Sequence, residues 1–76
     1  MSKEAQIAYD LMLERFNATG YRRVKITVPI ELRNKRRDIV SELEFENLIA
    51  EADIYGQQYI SCMLTDENLC IVKIEY

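Results

Sequence analysis

The chain has 76 residues, 49% of them apolar, with two glycines, one proline, two cysteines, no histidine and a net charge of −3. That composition suits one small core, read as a single domain over residues 1–76, and is too apolar for a disordered chain. Its apolar runs are short and interrupted by charges throughout, which excludes a run of about 20 apolar residues able to cross a membrane, and the first residues have no apolar stretch of the signal-peptide kind.

The first predicted element is a helix over residues 3–18. Tyr9, Met12, Leu13 and Phe16 recur at helical spacing, with Ala5 and Ala8 widening the stripe. Ser2 is placed to cap its first turn, and Gly20 can take the left-handed conformation that ends a helix. Residues 24–28 alternate β-branched with charged or polar side chains, as a half-buried strand does. Pro29 lacks an amide donor and fits the first turn of a short helix over 29–36. A second long helix is expected over 41–54, where Ser41 and Glu44 have capping-box spacing and Phe45, Leu48, Ile49 and Ala52 form a stripe. The runs 59–64 and 69–74 around Thr65-Asp66-Glu67-Asn68 complete a β-hairpin. No internal repeat or low-complexity segment interrupts this order.

The fold class is therefore α+β, in the order helix, strand, helix, helix, β-hairpin. The stretch Pro29-Ile30-Glu31-Leu32-Arg33, then Asp38-Ile39-Val40-Ser41, then Glu44-Phe45-Glu46-Asn47-Leu48-Ile49 resembles the middle helix, turn and third helix of the winged helix-turn-helix superfamily. The hairpin would be its wing. The resemblance implies a third helix that enters the DNA major groove. Here that helix would carry Glu42, Glu44, Glu46, Glu51 and Asp53 toward phosphates, which opposes binding. The alternative architecture is an N-terminal helix followed by a four- or five-stranded antiparallel meander. Turn-like breaks near Arg33–Arg37, Glu46-Asn47, Gly56-Gln57 and Asp66–Asn68 have the spacing for it.

Charge is sorted along the chain. Residues 22–37 hold seven cations (Arg22, Arg23, Lys25, Arg33, Lys35, Arg36, Arg37) against Glu31, while residues 38–76 hold nine anions against Lys73. The cations form the candidate surface for nucleic acid or another anionic partner, with Tyr21 beside them to stack on a base or to pack. Glu42, Glu44, Glu46 and Glu51 form the candidate acidic face for a protein partner. Opposite poles on one body also permit head-to-tail association into a homo-oligomer.

Catalysis and cofactors have little to build on. Histidine is absent, Gly20 and Gly56 form no phosphate-cradling loop, and Glu42 with Glu46 reads as solvated charge. Cys62 and Cys70 fall opposite one another if the hairpin loop has three residues and not if it has two; either way two thiolates do not complete a zinc site. Two cysteines without a disulfide framework point to the cytoplasm. The expectation is a non-enzymatic regulatory or accessory module, without metal, cofactor or membrane, that binds a protein partner through its charged faces. The alternative is a nucleic-acid-binding regulator that contacts phosphates through the strip 22–37.

Overall fold

Helix α1 (Lys3–Thr19) forms on the predicted stripe. The computed structural model in which it is seen describes residues 1–65. The Ser2 hydroxyl accepts a hydrogen bond from the Ala5 amide at 3.1 Å. At the other end Gly20, at φ 75°, donates its amide to the Phe16 carbonyl at 2.7 Å, a left-handed conformation that a Cβ would penalise. Ala5, Ala8, Tyr9 and Met12 are buried. Strand β1 (Arg23–Thr27) follows, with Val24 and Ile26 inward and Arg23, Lys25 and Thr27 outward. Beyond Pro29 a 3₁₀ helix (Ile30–Lys35) buries only Leu32.

The second long helix is displaced from its expected place. Helix α2 runs Arg36–Phe45, starting directly behind the 3₁₀ helix. Its buried residues are Ile39, Val40 and Leu43, and Ser41 is exposed in the helix interior, so Ser41 and Glu44 do not form a capping box. Phe45, counted above in an apolar stripe, is 88% exposed. The helix stops because Asn47 takes φ 59°, the Leu48 amide bonds the Leu43 carbonyl at 3.0 Å and the Asn47 amide bonds the Glu44 carbonyl at 3.0 Å. These paired bonds form a Schellman ending, with asparagine where glycine is usual, and Leu48 supplies its apolar contact with the core.

The chain then enters strand β2 (Ile49–Tyr55), turns at Gly56–Gln58, and returns as β3 (Tyr59–Leu64). The breaks at Glu46-Asn47 and Gly56-Gln57 are thus turns, as the meander reading required. The sheet is antiparallel in the order β1-β3-β2, so both edges of β3 are occupied. The expected terminal hairpin contributes its first run as β3; its second run, 69–74, lies outside the described residues.

Pairing of β2 with β3 shifts register between Ala50 and Asp53. Glu51 and Ala52 together oppose Cys62, a β-bulge, and Glu51 takes φ 53°. The inner face of the sheet packs on both helices around Met12, Val28, Ile39, Leu43, Ile60, Cys62 and Leu64.

Candidate functional site

The cationic strip divides between two surfaces. On the outer face of the sheet, Arg23 reaches across β3 to Glu51 at 2.6 Å, an ion pair made by the bulge that turns Glu51 outward. Lys25 sits 4.2 Å from the ring centre of Tyr59 and 6.0 Å from that of Tyr55, within cation–π range. Neighbouring Arg22 and Tyr21 are exposed. Lys35 leaves the group altogether: its ammonium lies 2.9 Å from Glu4, and that hydrogen bond, with the Glu4 amide and the nearby charge, holds the Glu4 carboxyl below its usual range.

Arg33, Arg36 and Arg37 are brought together. With Ile30, Asn34, Asp38 and Gln57 they line a surface concavity of about 660 Å³ where the 3₁₀ helix meets α2. The Arg36 guanidinium donates from Nη1 to the Arg33 carbonyl, while Nε of both Arg33 and Arg36 is buried with no hydrogen-bond partner among the described residues. No ion pair among the described residues takes any of the three. Arg36 and Arg37 stand in the first turn of α2 and Arg33 in the last turn of the 3₁₀ helix before it, at the positive end of the α2 dipole, where cations are disfavoured and an anion is favoured. Lys35 supplies no side-chain cap there, and Asp38 is the one acidic residue of that turn. Arg36 and Arg37 also border a second hollow with Asp53 and Gly56, so the cationic surface continues along the β2 side.

The expected acidic face is not one surface. Glu42 accepts hydrogen bonds from the Ser2 amide and hydroxyl at 2.8 and 3.0 Å, which docks the start of α1 onto α2. Glu46 lies 3.9 Å from the Met1 amine. Glu44 is exposed on α2, and Glu51, on β2, is engaged by Arg23.

Sequence reasoning missed Asn34 and Gln57 as lining residues and missed the two tyrosines under Lys25. No linear signal joins Gln57 to Arg33; only the displaced helix and the β2–β3 turn bring them together. Cys62 is fully buried on β3, 3.5 Å from the Met12 sulfur, and burial pushes its thiol up to about 11. Cys70 lies outside the described residues. Among those described, no group of three or more His, Cys, Asp or Glu is placed to hold a metal ion, and no helix is long and apolar enough to cross a membrane. Comparison with protein-family models, curated proteins and solved structures finds no match to this chain.

Proposed function

We infer that the chain is a small, non-enzymatic nucleic-acid-binding module on a winged-helix-like scaffold. Phosphates are held by Arg33, Arg36 and Arg37, and the exposed side of α2 lies toward the groove. The observation that carries this reading is the clustering of Arg36 and Arg37 in the first turn of α2 with Arg33 just before it, none of them paired to a carboxylate among the described residues. Such an arrangement works against the helix unless an anion offsets it. Guanidinium forks suit phosphate oxygens. The scaffold reading draws on element order: the 3₁₀ helix stands where the middle helix would be, α2 where the third helix would be, and the β2–β3 hairpin where the wing would be. The objection from an acidic third helix weakens once that helix is Arg36–Phe45, because its first turn is basic and Glu42 is tied to Ser2.

The test is a titration of isotope-labelled protein with a mixed-sequence DNA duplex, read by backbone amide shifts. Shifts centred on residues 33–41 are expected, with affinity lowered by more than about tenfold in Arg33→Glu/Arg36→Glu. Unchanged spectra at low salt, or unchanged affinity in a folded double variant, overturn the reading.

A second reading, a protein partner seated on the outer side of α2, has one observation in its favour. Phe45 is 88% exposed at the end of that helix, beside Glu44. Phe45→Ser distinguishes the two: it leaves duplex affinity unchanged if phosphates are the ligand and abolishes association if a protein is.

A further inference from the structure

Among the described residues, strand β1 is paired on one edge only. The Val28 amide bonds the Gln58 carbonyl at 2.6 Å, and the Leu64 amide bonds the Arg22 carbonyl at 2.9 Å. Positions 22, 24, 26 and 28 therefore direct their backbone groups at β3, and by alternation Arg23, Lys25 and Thr27 direct theirs away from it. Among the described residues no strand pairs with that side. Alongside it, α1 and β1 form a groove of about 360 Å³ with an apolar floor of Leu11 and Ile26, walled by Arg15, Lys25 and Tyr59. An unpaired edge beside a groove is the geometry by which a sheet accepts an extended peptide.

We propose that this edge binds an extended acidic segment of another protein as an added strand. The charge of β1 selects the occupant. A new strand sets its outward side chains opposite Arg23 and Lys25, so carboxylates at alternate positions are favoured there. The residues between them point inward and fill the groove, and these are apolar. Arg15 adds a cation to the wall, against which Glu14 is the one lining carboxylate. Arg23 exchanges an exposed partner, Glu51, for one on the incoming strand, at little cost. A second copy of β1 fits poorly, since antiparallel pairing about Lys25 sets like charges opposite. The chain's own strand-like run 69–74 carries Lys73 and no carboxylate, so it also lacks the pattern.

The test uses the full chain and a synthetic ten-residue peptide alternating glutamate with valine, with a lysine–valine peptide as control. Amide hydrogen exchange in the free protein should be fast at residues 23, 25 and 27 and slow at 24 and 26. Adding the acidic peptide should slow the first three, and the control should not. Lys25→Pro removes an edge amide without touching the bonds to β3 and should weaken the acidic peptide by more than about tenfold. Lys25→Glu should do the same while keeping the backbone, which covers the event that the proline variant unfolds; slow exchange at 24 and 26 reports the fold in both. Slow exchange at 23, 25 and 27 in the free chain means that the edge is already filled by residues 66–76 or by a second copy, and overturns the proposal. So does equal binding of both peptides, or no binding at about 1 mM.

Discussion

Tyr9 illustrates how one side chain can both build a core and strain it. Its ring lies on the buried stripe of α1, yet its hydroxyl is buried with no hydrogen-bond partner among the described residues. An unpaired buried hydroxyl costs about 1–3 kcal/mol, so Tyr9→Phe should leave stability unchanged or raise it by about 1 kcal/mol at neutral pH, read by urea unfolding. Burial first, then the neighbouring Cys62 and Asp10, pushes the Tyr9 phenol up to about 12, and burial raises the Cys62 thiol to about 11. Both groups keep their protons longer when folded than when unfolded. The unfolded chain therefore releases protons first as pH rises, and stability is full below pH 9 and falls between about 9 and 12. Urea midpoints at pH 8, 9.5 and 11 should decline in that order, and Tyr9→Phe should remove the later part of the decline.

At the scale of the element, Ser41 discriminates between the expected and the observed helix. Were it an N-cap, Ser41→Ala would cost about 1 kcal/mol. As an exposed residue inside α2, its replacement by alanine should be neutral or gain a few tenths of about 1 kcal/mol. Asn47 closes that helix at φ 59°, so Asn47→Ala should lose about 1 kcal/mol while Asn47→Gly retains stability; thermal unfolding of the pair checks both. These residues also explain how far the fold was legible. Helix α1, strand β1 and the first run of the hairpin could be read because period and caps agree there. The second helix was misplaced because Phe45, Leu48, Ile49 and Ala52 have helical spacing by coincidence, whereas Asn47 signals a stop that only its left-handed backbone reveals. Strand β2 was hidden because its alternation is broken in the middle. The cationic residues were legible as a run, but their division into a sheet surface and an α2 concavity depends on where α2 starts.

For the whole molecule, an acidic chain that binds nucleic acid must do so through a local field rather than its net charge. On the proposed reading Arg33, Arg36 and Arg37, which line one concavity, would make three phosphate contacts, while Arg23 and Lys35 are engaged with Glu51 and Glu4. Counterion release then gives a slope of about −3 for log affinity against log salt on duplex DNA. A steeper slope, near the about −6 expected of seven cations acting together, would mean that the sheet-face cations join the same interface. Fluorescence anisotropy across about 50 to 200 mM salt measures it. The proposed peptide edge is lined by α1, β1 and Tyr59 of β3, and the arginine concavity by the 3₁₀ helix, α2 and the β2–β3 turn, so the two surfaces share no lining residue.

The bulge in β2 has a consequence for how this chain can change in length. Ile49, Ala52 and Ile54 oppose Leu64, Cys62 and Ile60 across the sheet only because one additional residue, Glu51, is turned outward between them. Take that residue away and the remaining run, Ile-Ala-Ala-Asp-Ile-Tyr, alternates without interruption, with the same three side chains toward the core. Position 51 is thus an insertion that the sheet absorbs. Descendants of this sequence can lose it at the expense of one exposed ion pair, whereas the loss of Ala52 would turn the Glu51 carboxylate inward.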